Sequence, residues 1–212
     1  MQPSSEKRLP ACGAVAAAAA DLCLAFANTR AWRGRAAPSE SLNSFQDLLR
    51  WCAGAGLATE GRRWAGGGEG NGAEILAEAI ALREVIYRLS SRLSAGARLA
   101  PADIRALNRA LARAPERSGI VHRGGRYLWQ VRAAAGEDGG MVPTLLAPVL
   151  WSAADLIVGA GAHRVRQCAN DSCRWLFLDA SRNGARRWCD MRACGNQAKA
   201  RRHYQKVKRA ST

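Results

Sequence analysis

CANDSCRWLFLDASRNGARRWCDMRACGNQ, residues 168–197, carries four cysteines as C-x4-C, fifteen residues, C-x4-C, and runs straight into the basic stretch that ends in Lys206, Lys208 and Arg209. Two short-range pairs, separated by enough chain to fold back, suit a tetrahedral zinc ion. Each turn can present two thiolates about 2.3 Å from one metal. Between the pairs, Trp175-Leu176-Phe177-Leu178 reads as a strand, Asn183-Gly184 as a tight turn, and Arg186-Arg187-Trp188-Cys189 as the returning strand. After Cys194, Gly195 and Asn196 offer turn and cap chemistry, and residues 197–209 lack both Gly and Pro, which predicts a helix.

Knuckle, hairpin, second cysteine pair and helix is the chain order of a treble-clef zinc finger. Cys168, Cys173, Cys189 and Cys194 are the expected ligands of one structural zinc ion, since four thiolates leave no position open for catalysis. Two disulfides, an iron–sulfur cluster and four unrelated thiols are the competing readings. Disulfides need an oxidising compartment, and seven cysteines are an odd number. Iron–sulfur sites favour tighter C-x2-C spacing. Cys12, Cys23 and Cys52 fall singly in Ala- or Leu-rich surroundings and read as buried thiols.

Charge follows the cysteines. Of the net +15, residues 163–212 hold 13 basic and three acidic side chains, or +10, in about a quarter of the chain. Such asymmetry favours a polyanionic partner, and nucleic acid ahead of membrane because the basic segment has few long apolar residues. On the expected helix, Lys199, Arg202, Lys206 and Arg209 stack on one face with Arg201 and Lys208 to the side. Ala200, Tyr204 and Val207 are left for inward packing, and Arg186, Arg187 and Arg192 extend the track. DNA is the expected partner and RNA the nearest rival. A merely solvated basic face is the bland reading of the same residues.

The preceding residues read as an α-rich unit. Leu42, Phe45, Leu48, Leu49 and Cys52 have helical spacing behind a possible Ser41 cap, and Ile75 to Leu93 alternates steps of three and four up to Gly96. Pro101 and Asp103 open a shorter helix that stops before Pro115, and another runs from Pro143 to Gly159. Gly124-Gly125 between two β-rich runs signals a hairpin. Residues 61–73 are too glycine-rich for periodicity, and no GK[ST] follows, so they read as a loop without a phosphate grip. The expected fold class is α+β, mainly helical, with a helical domain at 1–162 and a treble-clef-like finger at 163–212.

Lys7 and Arg8 before an Ala-rich run imitate a secretory signal, but Pro10, Gly13 and Asp21 interrupt it. No 18-residue apolar run exists, so no membrane span is expected, and the protein is read as cytoplasmic and nucleoid-associated. An enzyme is not expected. His122, His163 and His203 are scattered, with no paired carboxylates and no G-x-S-x-G. Asp179 reads as a turn residue rather than a base. A sensing or dimerising role for the N-terminal unit is a third class, with Trp32, Trp51, Trp64, Trp129 and Trp151 as wall candidates, although core packing is their commoner fate. Asn28, Thr29, Arg30 and Arg83 are the candidate residues for a small-molecule effector.

The residues Cys168, Cys173, Trp175-Leu176-Phe177-Leu178-Asp179, Ser181-Arg182-Asn183, Arg187-Trp188-Cys189, Met191 and Cys194-Gly195-Asn196 resemble the CGNR zinc finger, with Gln197 where the fourth letter has Arg. Leu22 to Thr29, Leu48 to Trp51 and Leu82-Arg83-Glu84 resemble the ABATE domain that accompanies this finger in bacterial proteins, with Ala25 where that family usually has Asp. The resemblance implies a stress-linked transcriptional regulator with a zinc-bound, DNA-reading C-terminus.

Overall fold

The computed structural model describes residues 11–17, 19–57, 71–132 and 140–210, giving only the backbone of 11–13, 203 and 205–210. Most of the glycine-rich stretch, Trp64, and the side chains of Cys12, Lys206, Lys208 and Arg209 lie outside the described residues. The protein is α+β and mainly helical. None of its described helices is long and apolar enough to cross a membrane.

The central element is the helix α3 (Gly72–Ser94), whose Ile75, Ala79, Leu82, Ile86 and Leu89 are buried along one stripe. Around it pack α1 (Leu22–Ala27), α2 (Phe45–Gly54), α4 (Pro101–Arg113) and α5 (Met141–Leu145). α6 (Ala147–Val158) lies against α1 and α4. Full burial of side chains such as Leu24, Phe26, Leu48, Ile86 and Leu150 contributes about 1.5–3 kcal/mol each before chain entropy is set against it. The helix expected from Pro143 is two pieces, because Leu146 leaves helical geometry between α5 and α6.

The cap of α2 is Ser44 rather than Ser41. Its Oγ accepts from the Asp47 N–H at 3.1 Å, while Asp47 Oδ2 takes the Asn43 N–H at 3.0 Å. This reciprocal closure satisfies two donors that the helix start leaves open. Leu42 consequently sits before the helix, buried among the core residues.

The hairpin of β4 (Glu116–Arg123) and β5 (Arg126–Arg132) turns at Gly124 and Gly125, both with positive φ, as a two-residue turn of this type requires. A third strand, β1 (Ala11–Val15), adds antiparallel to β5, giving the order β1-β5-β4. Sequence reading missed it because an alanine run has little β propensity of its own. The short strands β2 (Arg30–Ala31) and β3 (Ser39–Glu40) pair with each other.

The C-terminal residues depart from the expected hairpin. Strand β7 (Leu176–Leu178) pairs with β6 (Val165–Gln167), which precedes the first cysteine, and residues 186–189 do not form the returning strand. The first cysteine pair therefore occupies the loop of the β6–β7 hairpin. β6 packs on α3 and β7 on α1 and α3, and Val165 and Leu176 are buried in the same apolar cluster as the helices. The chain then runs through a wide π-type turn, Met191–Gly195, into α7 (Asn196–Ala210).

Candidate metal centre and basic face

The first knuckle is closed by backbone bonds. Cys168 N–H donates to Trp175 O at 2.8 Å, and the N–H groups of Cys173 and Arg174 reach Asn170 O at 2.8 and 3.1 Å. Arg174 adopts φ +55°, which completes the tight reversal. The second knuckle starts from Asp190, whose Oδ1 accepts from Ala193 N–H at 2.8 Å and turns the chain so that Cys194 enters at the head of α7. Gly195 leaves room there for the Met191 side chain, whose Sδ a Cβ would meet at 2.8 Å. Ala169 N–H donates to Arg187 O at 2.9 Å and ties the two knuckles together.

The four Sγ atoms all lie within 4.8 Å of one another. Cys173 and Cys189 are 3.7 Å apart at sulfur, Cys189 and Cys194 3.8 Å. Ligands at a zinc–sulfur distance of about 2.3 Å on a tetrahedron stand about 3.8 Å apart, whereas a disulfide requires about 2.05 Å. The cysteines are free thiols in an arrangement that fits one zinc ion.

Their ionisation also favours a cation. Burial acts to raise the Cys168 thiol, but hydrogen bonds from the Cys189 and Asn170 backbones, then from the neighbouring thiols, outweigh it and hold the group low. Burial and then the charge of Cys168 push Cys173 up to about 12, and burial with the charges of Cys173 and Cys168 pushes Cys189 higher still. A charge on Cys168 thus opposes ionisation of Cys173 and Cys189, and a divalent ion would remove that opposition.

Around the sulfurs lie Trp32, Phe177 and Trp188. Asn170, 5% exposed, points its Nδ2 at Cys194 Sγ (3.5 Å) and at Gln197 Oε1 (3.0 Å), while its Oδ1 accepts from Ser172 N–H (3.2 Å). Such a donor orients a thiolate and tempers its charge. Sequence reading passed over Asn170, although an Asn between two knuckle cysteines is the residue type a turn uses to bond its own backbone. Asp179 has the local role expected of it. Ser181 and then the Arg186 backbone N–H, each at 2.9 Å, bind its carboxylate and hold its pKa at about 2.

The basic residues divide into two groups. Arg186 is exposed but engaged with the finger itself: its guanidinium lies 4.6 Å from the Phe177 ring centroid and donates to the carbonyls of Trp188 and Cys189. Arg187, Arg201 and Arg202 share the walls of a cavity of about 260 Å³ with Trp188, Asn170 and Gln197, directly beside Cys194. Lys199 and Arg192 are exposed. Tyr204, expected to pack inward, is 70% exposed, and Ala200 is exposed as well. Among the described side chains of α7, Ala198 is half-buried and the others are exposed.

The residues expected to hold an effector are engaged with the protein itself. Asn28 and Leu176 exchange hydrogen bonds. Thr29 Oγ1 donates to Phe26 O at 2.8 Å and accepts from Arg83, and Arg30 sits in β2 opposite Glu40. Arg83, 1% exposed, forms a fork with Glu40 at 2.6 and 2.8 Å and also reaches Glu84 at 3.0 Å. Arg33 continues the chain of charges to Glu84 and stacks 3.7 Å above the Tyr87 ring centroid. The β2–β3 loop and α3 both meet the finger, Gly34 N–H donating to Ser172 O at 3.2 Å and Tyr87 OH to Arg174 O at 3.0 Å. Sequence reading offered Trp32 as a pocket wall in the helical unit, whereas it packs against the cysteines, and it missed Gly34 and Tyr87. Their partners lie far along the chain, out of reach of any local pattern.

Comparison with known proteins matches residues 9–160 to the ABATE family, described as "putative stress-induced transcription regulator", and residues 164–207 to the CGNR zinc finger. Neither description is that of an enzyme. No curated protein matches the chain. The chain belongs to the ABATE family, and its C-terminal part is a CGNR zinc finger.

Proposed function

We propose that the protein is a zinc-dependent, DNA-binding transcriptional regulator, with residues 1–162 as the sensing or dimerising part and 163–212 as the part that contacts DNA. The observation that carries this reading is the placement of Arg187, Arg201 and Arg202 around one cavity beside Cys194, at the start of a helix whose first turn the metal site fixes. Guanidinium groups gathered around one cavity suit phosphate oxygens, which each can bond in pairs. Lys199, Arg192, Lys206, Lys208 and Arg209 extend the positive track, whereas Arg186 serves the finger's own fold. With five or six phosphate contacts, log affinity falls against log salt with a slope of about −5.

The test is binding of the zinc-loaded full chain to mixed-sequence duplex DNA, with duplex RNA as competitor. Lys199→Ala with Arg202→Ala should keep zinc stoichiometry and reduce the salt slope by about 2. Undiminished binding by that double variant, or preferential capture by RNA, refutes the reading.

A further inference from the structure

A second cavity, of about 410 Å³, lies between the β4–β5 hairpin and α6, within the size range of small-molecule sites. Its walls come from four places: Arg117 and Trp129 of the β4–β5 hairpin, Trp151 and Asp155 of α6, Ala17 of the link between β1 and α1, and Leu178 of β7. Trp129 and Trp151 were candidate pocket walls from sequence, and of the five tryptophans named these two line this cavity.

Its chemistry narrows the ligand. Arg117 places its guanidinium carbon 5.3 Å from the Trp129 ring centroid and 5.5 Å from that of Trp151, and bonds both Asp155 carboxylate oxygens at 2.9 Å. The position an aromatic cage gives to a cation is therefore filled by the protein's own arginine. An anion would face Asp155 and find its counter-charge already paired. Among the described residues neither indole N–H has a protein acceptor, and neither indole nitrogen is sealed away as a buried orphan. Two indoles and a rim of alanines around a pre-paired ion pair call for a flat, uncharged molecule.

The geometry points to an effector site for an uncharged, planar aromatic compound. The site binds independently of any nucleic acid, and its contact with Leu178 puts the ligand one residue from Asp179, which anchors the loop leading to Arg186.

The experiment is titration of coumarin, an uncharged fused bicycle with a lactone carbonyl, into the zinc-loaded full chain, followed by ligand-observed NMR. Saturable binding is expected. It should weaken at least about tenfold in Trp129→Ala, which removes a stacking wall. Ala17→Trp, which sets an indole at the mouth from an exposed position, keeps the test valid if Trp129→Ala fails to fold, and it should weaken binding likewise. The inference is overturned by absence of saturable binding, by equal affinity in the wild type and Ala17→Trp, or by tighter binding of salicylate, whose carboxylate the paired Arg117 should refuse.

Discussion

Asn28 and Leu176 exchange two hydrogen bonds across 148 residues of sequence: Nδ2 donates to Leu176 O at 2.8 Å, and Leu176 N–H donates to Oδ1 at 3.0 Å. An amide side chain here mimics a neighbouring strand for β7 and joins the finger to α1. Asn28→Ala would leave a buried donor and acceptor unpaired and should cost about 2–4 kcal/mol in urea unfolding. Asn28→Asp keeps the acceptor but turns a carboxylate oxygen toward Leu176 O, so it should be at least as costly. Near-wild-type stability of the Asp variant would show that this amide is dispensable.

Gly34 stands where a Cβ would meet Asp171 O at 1.7 Å, so Gly34→Ala must push the loop off the knuckle. Hydrogen exchange should rise in residues 168–176 and in the β2–β3 loop together. Protection unchanged at both places would mean that the loop yields without losing its contact.

How far these features could be read from sequence depended on how local their causes are. The long stripe of α3, the Gly124-Gly125 turn and the cysteine spacing are short-range patterns, and each is legible in a window of a few turns. β6 was not legible, because Val165-Arg166-Gln167 becomes a strand only by pairing with Leu176 to Leu178 while Val165 is buried against the helices. Trp32 and Arg174 hold positive φ, a strained backbone that local preference argues against and that the surrounding packing supports. The apolar inner face assigned to Tyr204 failed for the opposite reason: periodicity shows which residues share a face, not whether anything lies opposite.

Acid should loosen the junction around Arg83. Burial acts to raise Glu40, but the Arg83 hydrogen bonds, the Leu42 and Ser41 N–H groups and the Arg83 charge outweigh it and lower its pKa; Glu84 is lowered likewise by Arg33 and Arg83. A lowered folded pKa gives stability that is complete above the unfolded value, about 4.3 for Glu, and is lost as pH falls through the folded value. Urea midpoints should therefore drop as pH falls below about 4.3. Glu40→Gln should flatten part of that drop and cost about 2–3 kcal/mol at neutral pH, less than a fully buried pair because Glu84 still contacts Arg83. An unchanged pH profile in Glu40→Gln would assign the acid sensitivity elsewhere.

Zinc removal should be felt beyond the finger. Trp32 packs with the zinc cysteines in an apolar cluster separate from the helical core, and the β6–β7 hairpin joins the two, since Val165 and Leu176 belong to the core while Cys168, Cys173 and Phe177 belong to the knuckle. Chelation, or Cys189→Ser, should lower the melting temperature of the whole chain and release the protection of Tyr87 and Asn28 contacts as well as that of residues 168–195. If only the residues from 168 onward lose protection, the finger folds as a separate unit.

Gln197 separates the stability of the knuckle from its affinity for a polyanion. Its Oε1 accepts from Asn170 Nδ2, and its side chain lines the cavity shared by Arg187, Arg201 and Arg202. Gln197→Arg, which restores the fourth letter of the CGNR motif, replaces an acceptor with a donor opposite a donor and should cost about 1 kcal/mol through the lost bond. It also adds a fourth guanidinium beside the cavity, so the salt slope of DNA binding should steepen by about 0.9. Lower stability with a steeper slope would locate the DNA contact beside the zinc site. Lower stability with an unchanged slope would place it further along α7, away from residue 197.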